Sequence, residues 1–176
     1  AAITRGDIFL EGISEEYMKS VTGKLREVGV DITAEDEGLH VRMKRDVTST
    51  DIETAPYPGF PTDMQAQFTS LLSISKGVSV VKDTIFEERF MHVPELTRMG
   101  ANLRRESNYV IIKGVTYLSG AQVMASDLRA SAALVLAGLA ASGTTEISRI
   151  YHIDRGYESI EKRLKKIGAE IWRLKE

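Results

Sequence analysis

No cysteine occurs in the 176 residues. Disulfides, thiolate nucleophiles and cysteine-bound metals are therefore excluded from this chain, which suits a reducing compartment. Histidine is scarce, and His40, His92 and His152 show no metal-ligand spacing. Charge of one sign is missing too: 23 basic against 25 acidic residues leave a formal −2, with no basic stripe to attract nucleic acid or a membrane surface. The longest apolar run, ASAALVLAGLAA at 130–141, is too short to span a bilayer. The start, AAITRGDIFL, lacks the charged head and apolar stretch of a signal peptide. There is no P-loop, no GxGxxG and no nucleophile elbow.

What is present is a core-sized share of apolar residues, 43%, and an internal repeat. LREVGVDI (25–32), LTRMGANL (96–103) and LKKIGAEI (164–171) each read as an amphipathic helix stopped by a glycine. The β-prone stretches LHVRMK and NYVIIKG follow the first two. Upstream, KGVSVVKDTIFEERF aligns with SGTTEISRIYHIDRGY, placing Gly77 on Gly143, Phe86 on His152 and Arg89 on Arg155. PTDMQAQF aligns with ASDLRASA, placing Asp63 on Asp127. A full unit reads strand, helix, strand, helix, strand, strand. The division expected is a partial unit at 1–47, a full unit at 48–116 and a nearly full unit at 117–176, within one domain. The first unit lacks its front strand and helix and has Met18 where the others have arginine; the last stops at IWRLKE, short of a second hairpin strand. Such a pattern looks cut from a longer chain, and its open sheet edges predict self-association. The run at 130–141 reads as a helix buried on nearly all sides.

YPGFPTDMQAQ (57–67) predicts a helix beginning at Thr62, with Thr62 and Gln65 forming a capping box and Asp63 in the first turn, where the dipole favours a carboxylate. Taken alone, helix stabilisation accounts for Asp63. In the matching stretch Ser126 is expected to cap, Asp127 follows, and Arg129 stands where Gln65 stood, an unfavourable place for a cation. Rule-breaking of that kind is expected at sites, although Asp127 could simply pair with Arg129. Arg89 and Arg155 occupy matching loops. Together with Arg129 they would form an anion site, in which Asp63 and Asp127 could move protons. Ile85 and Phe86, after the strand VSVV, offer an apolar wall, with core packing as the plainer alternative. His92 and His152 read as polar surface, and Tyr57, Phe60 and Trp172 as packing residues.

TAPYPGFPTDMQAQF, FEERFMHVPELTRMGA, SGAQVMASDLRASAALVLAGLAA and RIYHIDRGYE resemble the UDP-N-acetylglucosamine enolpyruvyl transferases (1-carboxyvinyltransferases) over essentially the whole chain. The shikimate-pathway enolpyruvyl transferases match less well at PTDMQAQ and HIDRGYE. The resemblance implies a mixed α/β fold: an α-β prism, or inside-out barrel, of repeated βαβαββ units with helices inside. This chain would be most of the second domain, completed by an N-terminal segment and facing a missing N-terminal domain. The implied reaction moves enolpyruvate from phosphoenolpyruvate to the 3-hydroxyl of UDP-N-acetylglucosamine and releases phosphate, with no metal or organic cofactor. In the bacterial cytoplasm that step opens peptidoglycan synthesis, and with it cell-wall biogenesis, cell shape, cell cycle and cell division.

By the same resemblance Asp63 takes the sugar hydroxyl's proton. Asp127 is a second acid near the reacting carbons, and Arg89, Arg129 and Arg155 surround phosphoenolpyruvate, with Arg155 also counted among the catalytic groups. Ile85 contacts the sugar nucleotide with Phe86 beside it. The other domain would supply further charged groups, so the chain alone is expected to bind weakly and turn nothing over. Two other readings fit the pattern: a non-catalytic folding or interaction module of the same prism, and an RNA-handling prism like RNA 3′-phosphate cyclases, which the neutral charge disfavours.

Overall fold

The computed structural model describes residues 1–174. Along the chain run β1 (Asp7–Glu11), α1 (Lys19–Glu27), β2 (Asp31–Glu35), β3 (Gly38–Arg42), β4 (Ile52–Glu53), α2 (Gln65–Leu72), β5 (Val78–Lys82) and α3 (His92–Arg98). Then come β6 (Asn102–Glu106), β7 (Tyr109–Lys113), β8 (Gln122–Met124), α4 (Leu128–Ala140), β9 (Glu146–Ser148), α5 (Tyr151–Asp154) and α6 (Ile160–Lys166). Short 3-10 turns at Glu15–Met18 and Thr62–Met64 lead into α1 and α2.

The three glycine-stopped helices end identically. Gly29, Gly100 and Gly168 have φ of +104°, +90° and +97°, the left-handed conformation that reverses the chain. In each, the glycine N–H and the next N–H turn back on the last helical turn: Val30 to Leu25, Ala101 to Leu96 and Ala169 to Leu164, at 2.9–3.1 Å.

β1, β3 and β2 form one antiparallel sheet, and β4, β5, β7 and β6 a second in that order, with β4 parallel to β5. In β7, Val110 and Ile112 are fully buried while their neighbours stand half-buried or exposed, the two-residue alternation of a strand with one face on the core. β8 and β9 make a short parallel pair. Residues 169–174, where the repeat predicts a hairpin strand, join no ladder. A strand needs a neighbour for its backbone groups, and no β7 counterpart lies among the described residues. Arg173 instead ties this segment to Asp154 of α5 (2.7 and 2.9 Å) and Glu161 of α6 (3.2 Å).

α2 and α4 pack together as the inner helices. Every residue of α2 is buried although half of QAQFTSLL is polar. Its hydroxyls and that of the C-cap Ser73 are satisfied: Thr69 Oγ1 donates to the Gln65 carbonyl (3.0 Å), Ser73 Oγ to that of Thr69 (2.8 Å), and Ser70 Oγ crosses to the Ala133 carbonyl of α4 (2.9 Å). α4 joins two apolar clusters: Leu136 and Ala140 pack on the larger one, while Leu134 and Ala137 belong to the smaller. The buried helix expected at 130–141 is therefore borne out. α2 stops at Leu72 rather than at Gly77. Among the described residues no helix is long and apolar enough to cross a membrane.

Candidate active site

The C-terminal ends of β4 and β5 and the start of α2 meet at one end of the second sheet, because β4 and β5 are parallel and α2 connects them. Thr54 follows β4, Thr62 and Asp63 precede α2, and Asp83 follows β5. Thr62 does not cap the helix. Pro61 holds the cap position of the 3-10 turn and Met64 that of α2, neither with a side-chain bond, and the Thr62 hydroxyl donates to Asp83 Oδ2 (2.7 Å) while accepting from Arg89 Nη1 (2.9 Å). Gln65 closes no capping box either, since its side chain is fully buried and both amide atoms lack protein partners. The hydroxyl has a buried carboxylate within reach, and that partner outcompetes the helix amides.

Asp63 stands exposed in the turn before α2, its side chain 63% accessible. Arg89 Nη1, from the loop after β5, reaches Asp63 Oδ1 at 3.2 Å. Arg129 Nε, from the first turn of α4, reaches the same oxygen. Two guanidiniums brought from different parts of the chain thus converge on one oxygen, and among the described residues Asp63 Oδ2 is hydrogen-bonded to nothing. Such a carboxylate has one oxygen held in place and one available to accept a proton.

Asp127, not Ser126, caps α4. It has extended backbone angles, and its Oδ1 accepts from the amides of Arg129 (2.8 Å) and Ala130 (3.0 Å). The pairing of Asp127 with the Arg129 guanidinium weighed from sequence does not occur: only the Arg129 amide bonds Asp127, while the guanidinium turns to Asp63. The unfavourable charge at this helix start is thereby offset by an acid from another segment. Arg155 ends α5, is exposed, and has no ion-pair partner among the described residues, so the structure does not join it to the Asp63 cluster.

Ile85 and Phe86 are 37% and 51% exposed, so core packing does not account for them. Phe86 lies under Arg89, whose guanidinium carbon is 3.9 Å from the ring centroid, a cation–π contact that orients the arginine. The loop that carries them is organised by Asp83, which the sequence reading missed. Asp83 is fully buried and accepts from Thr54 Oγ1 (2.8 Å), Thr62 Oγ1 (2.7 Å) and the amides of Ile85 and Phe86 (2.9 Å each). Burial pushes its carboxyl up; the Phe86 amide, Thr62 hydroxyl, Ile85 amide and Thr54 hydroxyl outweigh that and hold it below the usual carboxylate range. The available signal was DTIF directly after an apolar strand, an aspartate placed to take amides two and three residues on.

His92 is not polar surface. It opens α3, is 1% exposed, and its Nε2 has no protein partner. Tyr57 and Trp172, expected to pack, are 85% and 62% exposed, whereas Phe60 is buried edge-on against Phe68 at 4.9 Å. A groove of about 470 Å³ runs along β9, lined by Val135, Leu139, Ile147, Ile153, Ile160 and Trp172, away from the residues at the start of α2.

Comparison with known proteins bears on what such a cluster serves. Two relatives named UDP-N-acetylglucosamine 1-carboxyvinyltransferase are 53% identical over 175 residues (Desulfatibacillum aliphaticivorans) and 55% identical over 176 (Geobacter metallireducens). They match 99% and 100% of this chain, which spans only 42% of the length of each. The enolpyruvyl transferase NikO of Streptomyces tendae shares the fold at a TM-score of 0.84 and 23% identity, over 96% of this chain and 41% of that one. EPSP synthase of Acinetobacter baumannii does so at 0.61 and 22%, over 83% and 36%. The α-β prism that the family resemblance implied is therefore the fold observed. The model of the family described as EPSP synthase (3-phosphoshikimate 1-carboxyvinyltransferase) matches residues 1–164, and with more than half of its residues shared with carboxyvinyltransferases, this chain belongs to that enolpyruvyl transferase family.

Proposed function

We propose that the chain forms most of the second domain of a transferase that moves enolpyruvate from phosphoenolpyruvate to the 3-hydroxyl of UDP-N-acetylglucosamine. The observation that carries this reading is the convergence of Arg89 and Arg129 on Oδ1 of the exposed Asp63. In this scheme Asp63 Oδ2 takes the sugar hydroxyl's proton as its oxygen bonds to C2 of phosphoenolpyruvate, while C3 gains a proton from an acid. Loss of a proton from C3 then restores the double bond and expels phosphate. A sugar hydroxyl is a weak acid, so proton transfer accompanies carbon–oxygen bond formation. Arg89, Arg129 and Arg155 hold the anionic substrate and offset the charge of departing phosphate. Asp127 is the second acid; its Oδ1 serves the helix cap, while its Oδ2 meets only the Ser126 hydroxyl, at 3.5 Å, and can exchange a proton at C3. Ile85 and Phe86 form the wall against the sugar nucleotide.

The remaining groups belong to a further, N-terminal domain, so the chain alone binds ligands and releases no phosphate. The step is the first committed one of peptidoglycan synthesis, in the bacterial cytoplasm. β9 pairs only with β8 among the described residues, and self-association along that edge is expected at high concentration, checked by light scattering. The test of the reading is titration with UDP-N-acetylglucosamine, following the amide signals of Asp63 and Ile85. Both should shift, and Asp63→Ala should abolish the effect. Phosphate release should require the N-terminal domain of a relative added in trans. Steady turnover by the chain alone would defeat the division of labour proposed here.

A further inference from the structure

Asp83 is fully buried, with no direct contact to Asp63, yet its hydrogen bonds join three pieces of backbone: Thr54 after β4, Thr62 before α2, and Ile85–Phe86 after β5. An ionised carboxylate only accepts, so the Thr62 hydroxyl gives its proton to Asp83 Oδ2. That leaves only lone pairs on Thr62 Oγ1 to face Arg89 Nη1, which donates to it at 2.9 Å and to Asp63 Oδ1 at 3.2 Å. The donors therefore run one way, from Arg89 to Thr62 to Asp83. Arg89 is the less exposed of the two arginines on Asp63, its side chain 18% accessible, and Thr62 fixes it from within.

We infer that Asp83 is a positioning residue for the Asp63 site. By taking the Thr62 proton it makes Thr62 an obligate acceptor for Arg89, and by holding the Ile85 and Phe86 amides it sets the apolar wall. Asp83→Asn keeps the shape and reverses the sense. With its oxygen on the two amides and Thr54, the new NH₂ donates to Thr62, whose own proton is left without its acceptor and is no longer held away from Arg89. The Arg89–Thr62 bond is then no longer enforced, and Arg89 is held less firmly against the oxygen of Asp63.

The test uses the 176-residue chain with four changes: Asp83→Asn, Thr62→Val, Thr62→Ser and the double variant Asp83→Asn/Thr62→Val. Its readouts are the side-chain nitrogen signals of Arg89 and the affinity for UDP-N-acetylglucosamine; the affinity arm alone rests on the proposed function. Asp83→Asn and Thr62→Val should each mobilise the Arg89 guanidinium and weaken binding roughly 10-fold, the scale of one lost charge-assisted hydrogen bond. Thr62→Ser should behave as the parent, and the double variant no worse than the weaker-binding single, because both break one chain of bonds. Unchanged Arg89 signals in Asp83→Asn, or losses that simply add, would overturn the inference. If Asp83→Asn does not fold, Thr62→Val against Thr62→Ser decides, since both leave the other Asp83 bonds in place. If the parent chain shows no binding of UDP-N-acetylglucosamine, the proposed function fails, while the Arg89 signals still decide the role of Asp83.

Discussion

An aspartate stands just ahead of both α2 and α4, and the two aspartates are used in opposite ways. Asp127 turns inward to its own helix and caps it, whereas Asp63 leaves its helix uncapped and faces two arginines. The contrast extends along both stretches. Asp83, the buried organiser after β5, aligns with Arg149 after β9, which has a left-handed φ of +55° and is exposed. α3 buries His92, Val93 and Leu96, while the matching α6 buries no residue. The same local signals thus produce elements of unequal depth. The four-stranded sheet gives α3 a surface to cover, and the β8–β9 pair offers α6 far less. Position within the repeat sets the type of element; neighbours set how much it is buried.

The largest expected effect concerns the inner helices. Leu72 of α2 is fully buried and its repeat counterpart Leu136 only partly so. Leu72→Ala should cost about 3 kcal/mol in urea unfolding, and Leu136→Ala about half that. Equal losses would mean that the two helices are equivalent after all. A loss of about the same size should appear with pH. Burial, opposed by Asp127 and aided by Arg105, pushes the His92 imidazole down to about 4. The unfolded chain takes up that proton near pH 6.5 and the fold refuses it. Stability should therefore fall as pH drops from about 6.5 to about 4, by about 3 kcal/mol in all, and level off below. His92→Ile copies Ile160, the α6 counterpart, and should flatten this part of the profile; an unchanged slope would exclude His92 as its source.

The two acids separate next. Asp127→Ala removes a cap and should destabilise the chain by about 1 kcal/mol. Asp63→Ala removes only its two ion pairs at an exposed carboxylate and should stay within about 0.5 kcal/mol, while losing the proposed response to UDP-N-acetylglucosamine. The reverse order of stabilities would overturn the assignment of the cap to Asp127. The smallest effect has the opposite sign: Arg149→Gly relieves a left-handed backbone and should stabilise by about 0.5 kcal/mol, whereas Asp83→Gly should destabilise.

Much of the fold was legible because the signals are local and periodic. Gly29, Gly100 and Gly168 announced three helix ends, the alternation in NYVIIKG announced a strand, and the run at 130–141, apolar on nearly all sides but for Ser131, announced an inner helix. Each pattern is satisfied within a few residues of itself, so reading along the chain suffices. The sequence also marked Asp63, Arg89 and Arg129 as a group, through the repeat and the family likeness. It could not say which partner each would choose. Thr62 gave up a cap for Asp83, Arg129 passed over the neighbouring acid for Asp63, and Arg155 joined neither. Those choices depend on which strand ends and helix starts the tertiary fold brings within about 3 Å, the reach of a hydrogen bond. A rotatable polar side chain takes the strongest acceptor within that reach, and only the folded chain decides what lies there.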